Sequence, residues 1–154
     1  MDMTRHPGTR ARQAGVTLLE LMAVVVIIAI IASSAYPLYT QYVVRAKRAA
    51  GTSMLLQVAD RQQQYFMDNK RYASSLESLG FTSSPFMMDD QGRVVAAGDP
   101  ERIYRISLSD TTATSYTATA DPQQSQADKD TKCASLTLTH NGEKGHTGPG
   151  TKCW

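Results

Sequence analysis

Apolar and polar residues are unevenly distributed along this chain. From Val16 to Ala35 one charge, Glu20, interrupts a stretch of apolar and small residues, and Leu21 to Ala32 is unbroken. About twenty helical residues span roughly 30 Å, the hydrocarbon thickness of a bilayer. The pattern predicts a membrane-spanning helix over residues 16–39. Tyr36-Pro37-Leu38-Tyr39 closes it: the tyrosines suit a membrane–water boundary, and Pro37 predicts a kink or a local break. From Thr40 to about Met67 the pattern becomes amphipathic. Val43, Ala46, Ala50, Met54, Val58 and Tyr65 recur near helical spacing, while Arg45, Lys47, Arg48, Asp60 and Arg61 fall mostly between them. That stripe is read as the face that packs under the domain's own sheet. Gly51 lies inside it, at a cost of about 1 kcal/mol relative to alanine.

Beyond the helix, residues 68–101 read as a connecting loop. It holds a short helix around Ser74–Leu79 closed by Gly80, turns at Pro85, Asp89-Asp90-Gln91-Gly92 and Asp99-Pro100, and a short strand at Val94-Val95. Alternation then predicts a strand over Ile103–Leu108, a weaker one over Ser115–Ala120 and a third around Ala134, Leu136 and Leu138. The polar run Gln123–Lys132 returns the chain between them. His140-Asn141-Gly142 is a hairpin signal leading to a short fourth strand near Glu143–Thr147. The fold class is α+β: a long N-terminal helix, transmembrane then amphipathic, packed on a small antiparallel sheet. The globular part is 40–154, with its helix over 40–67 and its β-meander over 102–147.

Charge and cysteine narrow the environment. Of 16 basic and 14 acidic residues, Arg5, Arg10, Arg12 and Asp2 precede Val16, leaving 13 of each sign beyond it. The excess positive charge thus sits on one side of the apolar run, the cytoplasmic side by the positive-inside rule. A neutral remainder argues against broad electrostatic attraction to nucleic acid. The two cysteines, Cys133 and Cys153, read as a disulfide if the domain is exported. Zinc held by cysteine with His140 and His146 is the competing reading, but the spacing fits no common ligand pattern. Asp89-Asp90 and Asp128-Lys129-Asp130 are acidic spots read as solvated turns; calcium would need further oxygen ligands that are not evident.

Gly15-Val16-Thr17-Leu18-Leu19-Glu20 directly before the apolar run resembles the type IV prepilin signature of pilins and type II secretion pseudopilins. The resemblance implies a leader over 1–15, cut by a prepilin peptidase after Gly15, with N-methylation of Val16. It implies that Glu20, costly inside a bilayer by about 2.5–3.5 kcal/mol, neutralises the Val16 amine of a neighbouring subunit. It makes Pro37 a bend in the long helix and assigns the type IV pilin fold. An ordinary signal peptide cut after Ala35, giving a mature start at Tyr36, is the alternative; Glu20 and the Gly15 junction argue against it. Arg61-Gln62-Gln63-Gln64-Tyr65-Phe66, with Asn69, Tyr72, Leu76 and Leu79-Gly80, is similar to a run in PilE-like minor pilins. There its aromatics would anchor the helix end and the following loop. Residues 133–153 resemble the disulfide-bounded C-terminal region of pilins.

No serine–histidine–aspartate grouping, phosphate-binding glycine loop or paired carboxylates stand out, so the expectation is not an enzyme, with no cofactor and no metal. The expected function is a structural subunit of a type IV pilus, a minor pilin needed for assembly and hence for adhesion, twitching motility or DNA uptake. Its expected partners are other pilin subunits, prepilin peptidase and the inner-membrane assembly machinery. It would lie in the inner membrane of a Gram-negative cell with the domain periplasmic, then in the surface pilus. A major pilin and a pseudopilin remain open. So does a DNA-binding receptor using Lys132, Lys144 and Lys152, with Lys129, His140 and His146 nearby.

Overall fold

Helix α1 spans Leu18–Asn69 and carries both halves of the hydropathy pattern. The computed structural model describes residues 15–154, so the expected leader, with Arg5, Arg10 and Arg12, lies outside the described residues apart from Gly15. The described residues form two units, one ending at Tyr39 and one spanning Thr40–Trp154.

In the first unit Thr17 caps the helix: its Oγ1 accepts the Glu20 amide at 3.2 Å. Thr17-Leu18-Leu19-Glu20 is a capping-box order, a start signal that hydropathy alone does not register. Side chains from Val16 to Ile31 are exposed on every face, and the helix is long and apolar enough to cross a membrane. Pro37 lies inside α1, which continues on both sides, so of the two expectations, a kink or a local break, the break is not there. A proline forfeits one backbone bond, and a helix extended in both directions tolerates that loss.

In the second unit α1 buries Gly51, Met54, Leu55, Val58 and Gln62, each three or four residues from another on one helix face. The expected period is right and its phase is slightly off. Ala46 is exposed, whereas Arg48 and Arg61 turn inward, because each has a partner there. A tight contact explains Gly51. A Cβ at this position would sit 2.9 Å from the Tyr104 ring, so the glycine admits that ring against the helix.

The sheet has six antiparallel strands in the order β2-β1-β3-β4-β5-β6. They are β1 (Phe86–Met88), β2 (Val94–Val95), β3 (Tyr104–Ser109), β4 (Thr117–Pro122), β5 (Leu136–Thr139) and β6 (Lys144–His146). The register aligns Phe86, Ile106, Ala120 and Leu136 in one row and Leu108, Ala118 and Leu138 in another. Alternate residues of β3, β4 and β5 therefore share one buried face. Every buried apolar side chain among the described residues lies between Met54 and Cys153, so this unit contains its own core.

Three expectations are corrected. The loop over 68–101 carries β1 as well as β2, because Phe86 and Met88 are buried against β3. The polar return 123–132 contains helix α2 (Gln124–Lys129), which buries Gln126. The short helix is a single 3₁₀ turn, Glu77–Leu79, ended by Gly80 at φ 82°.

Candidate functional site

The two cysteines close the C-terminal region. Cys133 and Cys153 are disulfide-bonded, with Cα atoms 5.4 Å apart. Their sulfurs are thereby withdrawn from any zinc site. Each follows the same two residues, Thr131-Lys132-Cys133 and Thr151-Lys152-Cys153, so the bond sets two Thr-Lys-Cys segments side by side. This repeat was legible in the sequence and passes unnoticed when cysteines are only counted. Backbone bonds tighten the juncture: Gly150 N donates to Lys132 O at 2.7 Å and Gly148 N to Cys133 O at 3.1 Å. A Cβ on Gly148 or Gly150 would lie 2.3 or 2.7 Å from Lys132 O, so both glycines are required by this close approach.

A groove of about 680 Å³ opens here, lined by residues of α1, by the end of α2 and by both Thr-Lys-Cys segments. Lys132 and Lys152, expected as candidates, line it together with Lys129. Arg45 joins them from α1, where the sequence pattern places it off the buried stripe. Beneath them Arg48 holds the walls together. Its Nε and Nη2 donate to Asp130 at 2.9 and 2.5 Å, and its Nη1 donates to Lys152 O at 3.3 Å. Asp130 is not a solvated turn residue: its side chain is 1% exposed, and it also accepts from Gln126 Nε2 at 3.1 Å. The Asp130 hydrogen bond raises the Arg48 pKa above its ordinary value, so the charge is permanent. Gln126 Nε2 also reaches Tyr104 Oη at 3.2 Å, and burial pushes the Tyr104 phenol up to about 12.

Residues 37–137 match the family described as type IV minor pilin ComP, DNA uptake sequence receptor, and that match spans more than half the chain. The chain belongs to this family. It is a type IV minor pilin. Residues 10–36 match the prokaryotic N-terminal methylation motif, a stretch that includes Gly15, Val16 and Glu20. Among solved structures it is similar to the non-core minor pilin PilV of Neisseria meningitidis, at 18% identity and TM-score 0.49, over 73% of this chain and 94% of that one. No curated protein matches it.

In this minor pilin the Arg61–Gly80 run ties the end of α1 to the loop that follows. Gln62 is fully buried and pairs with Ala73 both ways, donating to its carbonyl at 3.0 Å and accepting its amide at 2.8 Å. Arg61 donates to Leu79 O at 2.9 Å and lies 4.3 Å over the Phe81 ring. Tyr72 packs between Phe66 and Tyr116, with both centroid separations 4.8 Å. The aromatics anchor the loop as expected, and Arg61 and Gln62 add the polar half of that anchor.

The remaining candidates lie elsewhere. Lys144 is on the outer strand β6, its ammonium 5.3 Å from the Trp154 ring, and it does not line the groove. Trp154 pins the tail by donating to Gly145 O at 2.8 Å. His146 ends β6 with Nδ1 3.0 Å from Gly148 O, and is half-buried rather than a solvated loop residue; His140 is exposed beside Tyr72. Asp89 is also buried. Burial pushes its carboxyl up, but the Arg93 amide, the Arg93 guanidinium and the Gln91 amide together hold it below its ordinary value. Its oxygens are occupied by these donors, not by solvent.

Proposed function

We propose that this minor pilin is cut after Gly15 by a prepilin peptidase and N-methylated on Val16. Residues 16–39 then hold it in the inner membrane of a Gram-negative cell with the globular unit periplasmic. Assembly into the pilus draws on Glu20, which neutralises the Val16 amine of a neighbouring subunit. Such a pair sets register more than it adds net stability. Thr17 supports this: capping the helix start fixes Glu20 in the first turn, beside the new N-terminus. Replacing Glu20 with alanine is expected to leave processed protein in the membrane and remove it from sheared pili. Normal incorporation would refute the pairing.

Within the pilus, the chain serves as a receptor for DNA during uptake. The observation that carries this is the family match over 37–137, whose description names a DNA uptake sequence receptor, together with the cationic groove at the disulfide. A neutral domain can bind a polyanion when its positive charges gather on one surface. The reading is tested by fluorescence anisotropy with duplex DNA and full-length protein in zwitterionic detergent. Salt-sensitive binding is expected. No binding at low salt would leave a purely structural role in assembly.

A further inference from the structure

We infer that, while the subunit is held in the inner membrane, the groove at the disulfide docks the headgroup of an anionic phospholipid, with Lys132, Lys152, Lys129 and Arg45 as its phosphate contacts. This rests on the membrane residence proposed above and is independent of the DNA reading, which concerns the assembled pilus. Three observations converge on it. First, the groove begins where the membrane segment ends. The sequence closes that segment at residue 39, and the lining starts with Thr40 and Gln41. Tyr42, 69% exposed, stands between the lining residues Gln41 and Val44, and an exposed tyrosine suits a membrane–water boundary. Arg45 follows three residues later, about 4.5 Å of helix rise. That is inside the Debye length of about 8 Å over which an anionic surface attracts cations.

Second, the charge is one-sided. The carboxylate of the lining, Asp130, is turned to Arg48 and Gln126, whereas Arg45, Lys129, Lys132 and Lys152 are exposed. Third, the lining is mixed and its walls are fixed. Val44 and Pro149 set apolar surface beside the cations, and Thr131 and Thr151 add hydroxyls, a combination that fits a glycerol phosphate better than a bare anion. The volume of about 680 Å³ is that of a small-molecule site. The disulfide and the Arg48 contact to Lys152 O hold both lysine segments in place, which lowers the ordering cost of binding.

The test reconstitutes the full chain in lipid nanodiscs of phosphatidylcholine, with or without phosphatidylglycerol, and follows acylation of each lysine by mass spectrometry. A lysine held at an anionic surface gains about five- to sixfold in occupancy. Lys129, Lys132 and Lys152 are therefore expected to react more slowly by about that factor in the anionic discs. Lys70 and Lys144, exposed outside the groove, should react equally in both. A second arm measures partition of residues 40–154, which hold their own core, onto vesicles of the same two compositions. Lys132→Gln/Lys152→Gln should weaken partition onto the anionic vesicles about thirtyfold, and the equally charged Lys70→Gln/Lys144→Gln much less. Native circular dichroism and an intact disulfide show that both double variants are folded.

A chain that inserts into the discs, with groove lysines indifferent to anionic lipid, would overturn the inference. Equal losses from the two double variants would also overturn it, because net charge and not the groove would then meet the membrane. Protection by inorganic phosphate in neutral discs would make the groove a site for the free anion instead of lipid. Groove lysines protected by duplex DNA and never by anionic discs would leave the groove to the DNA reading alone. A chain recovered outside the discs would sink the membrane reading, and the inference with it.

Discussion

Exchanging Arg48 for methionine keeps an apolar stem and removes the guanidinium from a nearly closed site. The Arg48 side chain is 14% exposed and Asp130 is 1% exposed, so the carboxylate is left where water does not reach it. Asp130 would lose two of its three side-chain donors and keep only Gln126 Nε2. Breaking a buried pair from one side costs about 3–5 kcal/mol, and the partial exposure of Arg48 places this case near 3. For a domain of this size that is a fall in Tm of roughly 12 °C, at about 4 °C per kcal/mol. The assay is urea unfolding of residues 40–154, a unit that holds its own core and disulfide, followed by circular dichroism. Pairing Arg48→Met with Asp130→Leu removes both charges, so the double variant should recover most of the loss. A single variant costing less than about 1 kcal/mol, or a double variant equal to the sum of the singles, would mean that Arg48 and Asp130 are not a coupled buried pair.

Four further outcomes follow from other contacts. Gly51→Ala should destabilise despite its better helix propensity, because the new methyl meets the Tyr104 ring at 2.9 Å; a rise in Tm would contradict that packing. Replacing Cys133 and Cys153 with alanine should cost about 3 kcal/mol by loop-closure entropy, read as a lower urea midpoint. The Asp89 carboxyl is held below its ordinary value, so its stabilisation is present above about pH 4 and is lost as pH falls through the depressed value. Asp89→Asn should therefore lose about 1–2 kcal/mol at neutral pH and flatten the acid limb of stability. Burial holds the Tyr104 and Tyr116 phenols up to about 12, so stability should decline as pH rises above about 10, and less so in Tyr116→Phe.

How much of this was legible depended on whether the signal was local. The membrane-length run, the strands over β3 and β5 and the Gly80 helix stop each rest on neighbouring residues, and sequence reading located them. Sequence alone places Asp89 and Asp130 in solvated turns and Arg48 off the buried stripe, and it gives no sign that Gln62 is buried, because charge and polarity argue for solvent. Their partners are distant or created by the fold: Arg48 meets Asp130 across 82 residues, and Gln62 meets Ala73 across 11. Strand β1 escaped because three residues are too few to show alternation, and its burial comes from pairing with β3. The groove followed the same rule. Its lysines could be listed from the sequence, but Arg45 joins them only because α1 passes there, and Lys144 leaves them because β6 takes it to the sheet edge.

Whether the chain is a processed minor subunit of the pilus is decided by quantitative mass spectrometry of pili sheared from the cell surface, with the membrane fraction measured alongside. A subunit present in small proportion, beginning at N-methylated Val16, is the expected result. A mature start at Tyr36, or processed protein confined to the membrane and absent from pili, would contradict it.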